Sequence, residues 1–157
     1  MRVDAKKILK IALLILIAAN LAFIFVQSML PPEQSSKESG AVGDIIEEII
    51  PPDTKPGEFI QVNLRKIAHF VEFAALGCEV SLYMVLFMRR RPYIFLSFPT
   101  ALLCGFVDES IQLFSDRGAA VKDVWIDFLG FLSSSLIIYT GYLVFYLLSN
   151  KRKQKLS

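Results

Sequence analysis

Long apolar runs constrain this chain more than any other feature of its sequence. Four of them have the roughly 20 residues that an α-helix needs to cross a bilayer, at about 1.5 Å per residue. They span residues 8–30, 66–88, 93–114 and 123–148. Charged residues make up 20% of the chain, and they cluster between these runs. This segregation predicts an all-α, polytopic membrane protein, a bundle of four transmembrane helices, rather than a soluble domain.

The first run belongs to an N-terminal segment, residues 1–30, for which two interpretations compete. A secretory signal peptide has an apolar core of about 7–15 residues, followed by a small-x-small cleavage site. The run here is longer, and it ends in Pro31-Pro32. We therefore predict an uncleaved transmembrane signal anchor.

Residues 31–64 are polar and rich in proline, which predicts an extracytoplasmic linker without a core of its own. Within this segment, apolar residues follow helical spacing on one face, with acidic residues opposite. The apolar positions are Val42, Ile45, Ile46, Ile49 and Ile50. They predict a short amphipathic helix over residues 42–50 that rests on the bilayer or on the bundle. An undocked linker is the alternative.

The distribution of Lys and Arg predicts the orientation in the membrane. Eleven basic residues flank the side with both termini and the 89–92 loop, and six flank the other side. Three of the eleven, Arg89–Arg91, are packed into that short loop. We therefore predict a multi-pass protein of the cell membrane with both termini cytoplasmic, including the basic tail 149–157. Residues 31–65 and 115–123 should face outward.

Ionisable residues inside or beside the apolar runs form the predicted functional site. A charged group in hydrocarbon costs several kcal/mol unless it is paired, so such residues usually mark function. Antiparallel helices should bring these residues together at the outer membrane boundary. They are His69, Glu72, Asp108, Glu109, Gln112, Arg117, Asp123 and Asp127.

Each of these groups has a predicted role. His69 with Glu72 would be an acid–base pair, and Asp108 with Glu109 would orient water or bind a metal. Arg117 would bind a phosphate or carboxylate group. The predicted ligand-binding residues are Gln112, Arg117, Asp123 and Asp127.

Other polar and sulfur-containing residues have structural interpretations. Asp123 could instead be the N-cap of the last helix, and Asp127 a helix-packing group. Glu79 lies deep in the second run without a predicted partner other than Tyr83. Cys78 and Cys104 also lie in apolar runs and are predicted to be free thiols.

Four ordered motifs run through residues 65–148. They are Arg65-Lys66-Ile67-Ala68-His69-Phe70-Val71-Glu72, Asp108-Glu109-Ser110-Ile111-Gln112, Arg117, and Asp123-Val124-Trp125-Ile126-Asp127 with Gly130. This set resembles the VanZ-like family, named for a membrane protein linked to resistance to the glycopeptide teicoplanin. Phe73 stands where the family usually has Tyr, and Ser115-Asp116 replaces its usual Pro-Gly. The resemblance implies an integral membrane protein of the cell envelope, without a settled biochemical activity.

Three classes of function stay open, and whether the protein is an enzyme is undecided. The sequence favours a site that binds a lipid, a cell-wall precursor or a glycopeptide-type ligand, because no reaction-specific signature accompanies the polar residues. The first alternative is a membrane-embedded enzyme that acts on a lipid-linked or cell-wall substrate by His/carboxylate acid–base chemistry. The second is a small proton-coupled transporter, which with four helices would need a homo-oligomer.

The sequence predicts membrane lipids as partners, and neither nucleic acid nor a cofactor. A metal held by one imidazole and several carboxylates is compatible with all three classes. The chain offers only one imidazole as a nitrogen ligand, however, so no metal is predicted.

Overall fold

The computed structural model describes residues 4–88, 93–115 and 120–155, and its regular structure is helical. Within these residues lie five helices: α1 (Ala5–Met29), α2 (Pro32–Glu47), α3 (Lys55–Phe87), α4 (Tyr93–Phe114) and α5 (Val121–Lys155). The same residues contain no β-strand, which confirms the all-α prediction. The Arg89–Arg91 loop, on which the orientation largely depends, lies outside the described residues.

Four of the helices form a ring in the order α1, α3, α5, α4. The most extensive packing is between α3 and α5, followed by α4 on α5, and α1 closes the ring against both α3 and α4. The core between them is apolar, and its buried residues come from all four helices. They are Ile24, Phe73, Leu76, Ala101, Phe128 and Phe131. Large apolar side chains also cover the outside of the ring, as expected of a bundle in lipid.

Three described helices are long and apolar enough to cross a membrane: Ala5–Met29, Lys55–Phe87 and Val121–Lys151. The predicted fourth span, α4, is not among them, although its bounds match the predicted run 93–114. Asp108, Glu109 and Gln112 in its last two turns lower its mean hydropathy. The multi-pass prediction therefore agrees with the structure, and the count of four spans is not confirmed.

Glycines let neighbouring helices approach until their backbones touch. A Cβ on Gly77 of α3 would meet the backbone oxygen of Phe131, and one on Gly130 of α5 would meet that of Phe70. Small residues commonly allow such close packing between membrane helices. The consequence is local, because Phe70 directly follows His69 and Gly130 comes three residues after Asp127.

The segment before the second apolar run is more helical than predicted. α2 covers Pro32–Glu47 rather than 42–50, and α3 begins at Lys55 rather than near residue 66. Proline is favourable in the first turn of a helix, and both helices have one there. The Thr54 side chain caps α3 by accepting the N–H of Gly57 at 3.2 Å. Sequence periodicity missed these turns because their sequence carries no apolar stripe.

α2 packs against the first part of α3. The Gln61 amide donates to the Glu47 carboxylate, and Gly43 lies against Leu64. Ile45 and Ile49 are largely exposed, whereas Ile46 and Ile50 are half-buried. The contact of the isoleucine face with the bilayer stays a prediction, and the side chain of Val42 lies outside the described part.

Polar contacts also tie together the half of the bundle away from the predicted site. Asn20 of α1 donates to Glu79 of α3 at 3.2 Å, so the prediction that Glu79 lacks a partner on another helix is wrong. The hydroxyls of Ser97 and Tyr139 lie 2.7 Å apart. Cys78 and Cys104 are free, as predicted.

Candidate functional site

Polar side chains from all four helices of the ring meet at one end of the bundle. Ser28 of α1, Asp108 and Gln112 of α4, and Asp127 of α5 are at most 1% exposed, and Glu109 is 6% exposed. His69 of α3 retains 14% exposure of its side chain. The cluster is therefore built into the bundle, with its imidazole nearest to the surface.

Asp108 is the centre of the hydrogen-bond network. Its Oδ1 accepts from the Ser28 hydroxyl, and its Oδ2 accepts from Nε2 of Gln112 at 2.7 Å. Gln112 lies four residues later on α4, which places both side chains on one face. The Oε1 of Gln112 in turn accepts from the guanidinium of Arg65 on α3. One continuous chain of hydrogen bonds thus connects α1, α4 and α3.

His69 lies between two buried carboxylates. Its Nδ1 is 3.5 Å from Oδ2 of Asp108 and 3.4 Å from Oδ1 of Asp127. Both distances exceed the usual N–H···O range of about 2.7–3.2 Å. Among the described residues, neither oxygen of Asp127 has a hydrogen-bond partner. The ligand atoms of His69, Asp108 and Asp127 all lie within 4.8 Å of one another, so these three residues could hold a metal ion.

Glu109 ties the end of α4 to the start of α5. Its Oε2 accepts the backbone N–H of Ala120 at 2.9 Å. Its Oε1 is buried and has no hydrogen-bond partner within the described ranges. Asp123 and Asp127 lie close enough to Glu109 for their charges to act on it. This carboxylate thus links the end of α4 to Ala120, the residue before α5. Its other oxygen stays available to a ligand.

The predicted site residues differ in where they lie. Glu72 is on α3 one turn beyond His69 and close enough to act on it electrostatically. Asp123 lies in the first turn of α5, because the helix begins two residues earlier; the N-cap prediction is therefore wrong. Arg117 lies outside the described residues. The other five predicted residues belong to the cluster described above.

Sequence reasoning missed Ser28 and Arg65. No residue of the first apolar run was predicted to belong to the site, because a serine in such a run costs little free energy and gives no signal. Arg65 stands at the start of the first motif, yet it was not assigned a role there. Its position four residues before His69, on the same helix face, was the available signal.

The fold and the cluster define a helical, multi-pass membrane protein with a buried polar site at one end of its bundle. The chain belongs to the VanZ/LLP1 family, whose model matches residues 11–152. The match confirms the resemblance seen over residues 65–148 and extends it through most of α1. A search of the curated proteins and a search of the solved structures found no match.

Proposed function

We propose that the protein is a cell-envelope membrane protein whose outward-facing polar site binds the headgroup of a lipid or lipid-linked cell-wall precursor. In this proposal α4 is the fourth span and both termini are cytoplasmic. The 22 residues of α4 are long enough to cross the hydrocarbon core. Asp108 and Gln112 on α4 face inward and are buried, so they need not meet lipid.

Unused hydrogen-bonding capacity inside the cluster supports ligand binding. Both oxygens of Asp127, Oε1 of Glu109 and Nδ1 of His69 are buried without a hydrogen-bond partner among the described residues. Leaving such a group unpaired typically costs about 1–3 kcal/mol. A bound headgroup that donates hydrogen bonds would offset that cost.

The chemistry of the cluster favours a headgroup rich in donors. Carboxylates accept hydrogen bonds only, so they suit sugar hydroxyls and amines better than a bare phosphate. Arg65 is the described cation nearest to this network, and it could pair with a phosphate at the rim. Because the outside of the ring is apolar, a ligand with a lipid chain could reach the site along the bilayer. A glycopeptide is donor-rich as well, which makes altered teicoplanin susceptibility the expected phenotype.

A lipid-binding comparison tests the proposal. The full chain, in nanodiscs, would be titrated with a polyprenyl-linked amino-sugar precursor, a glycolipid and phosphatidylglycerol, and bound lipid measured by native mass spectrometry. The two donor-rich lipids should bind more tightly, and Glu109→Gln should weaken them at least about tenfold. The matched control is Glu79→Gln, the same isosteric change at a carboxylate near mid-bundle, which should leave binding unchanged. Equal binding of all three lipids, or equal loss in both variants, would contradict the proposal.

The same two variants can be compared in cells. A deletion strain complemented with Glu79→Gln should regain the wild-type teicoplanin susceptibility, whereas Glu109→Gln should not, at equal membrane abundance. If the phenotype follows abundance instead, the cluster only stabilises the fold.

An enzymatic role is the second candidate, because His69 between two carboxylates is an arrangement suited to acid–base catalysis. Incubation with the precursor and chromatographic analysis of the products distinguishes the two functions. Conversion abolished by His69→Gln supports the enzyme, and binding without conversion supports the binding protein.

A further inference from the structure

We propose that His69, Asp108 and Asp127 form a binding site for a divalent transition-metal ion. One nitrogen ligand comes from α3 and one carboxylate each from α4 and α5, with all ligand atoms within 4.8 Å of one another. The two aspartates are fully buried, unlike the exposed acidic clusters that are common on protein surfaces. The ion would hold three helices of the ring together at the polar end.

The distances fit ligands that share an ion better than they fit hydrogen bonds. Zinc-type ions are bound at about 2.0–2.2 Å, so two ligands in tetrahedral arrangement lie about 3.4 Å apart. The Nδ1 of His69 lies 3.5 Å from Asp108 and 3.4 Å from Asp127. Direct hydrogen bonds to these oxygens would draw the atoms closer, to about 2.9 Å.

Asp127 is buried beside the imidazole and has unused capacity to bind an ion. Its side chain is fully buried, it points at His69, and neither oxygen has a hydrogen-bond partner among the described residues. Within the same residues, the ion pairs of Asp108 and Asp127 are with His69 alone. A divalent cation balances two buried carboxylates while the imidazole stays neutral, as a metal ligand requires.

Residues around the three ligands are arranged as in known metal sites. Ser28 and Gln112 donate to the two oxygens of Asp108 and fix its orientation. Such hydrogen bonds to a ligating carboxylate are a regular feature of metal sites. Each carboxylate oxygen has two lone pairs, so Oδ2 of Asp108 can accept from Gln112 and still bind the ion.

The ligand set selects the class of ion. Imidazole suits Zn²⁺ and other transition metals, whereas Mg²⁺ and Ca²⁺ prefer oxygen ligands alone. Carboxylates also suit Mn²⁺, so Zn²⁺ and Mn²⁺ are the ions of choice. No metal was predicted from the sequence because one imidazole is a small ligand set; the structure adds the two buried carboxylates beside it.

The ion would bind Nδ1 of His69 and Asp127, which leaves Oε1 of Glu109 and Oδ1 of Asp123 for a headgroup. The test uses the metal alone, so its failure can be distinguished from a failure of lipid binding. The full chain would be purified in detergent with a non-histidine tag, stripped with chelator, and titrated calorimetrically with Zn²⁺, Mn²⁺, Mg²⁺ and Ca²⁺. Trp125, the one tryptophan of the chain, lies two residues before Asp127 and gives a fluorescence readout. We expect one transition-metal ion per chain, confirmed by elemental analysis, with Mg²⁺ and Ca²⁺ at least tenfold weaker.

Variants assign the ion to these residues. Asp127→Asn and His69→Gln should lower the affinity about 100-fold or more, and the control Glu79→Gln should leave it unchanged. Each variant is first checked for helicity by circular dichroism and for a single size-exclusion peak. Failure of the wild-type protein to bind Zn²⁺ or Mn²⁺ overturns the proposal whatever the variants do. Equal affinity in the folded Asp127→Asn variant and the wild type overturns it as well.

Discussion

Replacing Gly130 by alanine should separate α3 from α5 and disturb the polar site without touching a polar residue. The new Cβ would point at the backbone of Phe70, where it meets the carbonyl oxygen, the carbonyl carbon at 3.1 Å and the Cα at 3.2 Å. A backbone inside a helix cannot move aside as a flexible side chain can. The two helices must therefore shift relative to each other.

The size of the effect follows from these contacts. Carbon atoms in normal contact lie about 3.5–4.0 Å apart, so the helices must separate locally by roughly 1 Å or less. The 3.4 Å distance between His69 and Asp127 would then grow to about 4 Å. Overpacking of this kind typically costs about 1–3 kcal/mol. For a chain of this length, that lowers the melting temperature by about 2–12 °C.

Gly141→Ala is the matched control on the same helix, because no atom of another described helix lies within 4 Å of its Cβ position. Alanine is favoured over glycine in a helix by about 0.5–1 kcal/mol, so this variant should melt at the same temperature or higher. Thermal unfolding of both variants in one detergent gives the comparison, and Zn²⁺ titration reports on the site. If Gly130→Ala has the same melting temperature as Gly141→Ala and binds metal as the wild type does, the close contact between α3 and α5 does not position the site.

Four further outcomes test other parts of the structure. Ser28→Ala removes a hydrogen bond to Asp108, so the metal affinity measured by calorimetry should fall about 10–100-fold. An unchanged affinity would exclude a role of α1 in metal binding. Glu109→Ala frees the backbone N–H of Ala120, whose hydrogen exchange, followed by mass spectrometry, should accelerate; equal rates would exclude the tie between α4 and α5. Tyr139→Phe removes the hydroxyl contact with Ser97 and should lower the free energy of unfolding by about 0.5–1.5 kcal/mol, without changing metal affinity. A loss of metal binding would mean that the two ends of the bundle are coupled. A reporter active only outside the cytoplasm should be silent when fused after Ser157 and active within residues 33–60, whereas activity at the C-terminus would refute the orientation.

The main helices of the bundle and most of the cluster were predictable because lipid imposes strong and simple constraints. A membrane helix must supply about 20 apolar residues, and this requirement indicated the spans within α1, α3 and α5. Ionised groups in hydrocarbon cost several kcal/mol, so Asp108 and Asp127 were conspicuous within their apolar surroundings. Neither argument needs knowledge of which helices are neighbours.

What could not be predicted depends on helix rotation, on which helices are neighbours or on exposed backbone. Ser28, Ser81, Ser97 and Ser135 are all buried, and their sequence positions alone do not tell which of them meets a carboxylate. The pairing of Asn20 with Glu79 likewise requires that α1 adjoin α3. The first turns of α2 and α3 carry no apolar period, so their helicity depends on proline and on Thr54 capping rather than on a pattern.

α3 is longer than the hydrocarbon core of a bilayer is thick. Its 33 residues measure about 50 Å along the axis, against a hydrocarbon thickness of about 30 Å. From Lys55 to His69 alone the helix rises about 21 Å. In the orientation proposed above, with His69 at the membrane boundary, this part of α3 would extend beyond the bilayer, and α2 packs against it through Glu47 and Gln61. Because α3 is continuous from Lys55 through His69, we expect a tilt of its first turns to change the distance between His69 and Asp127.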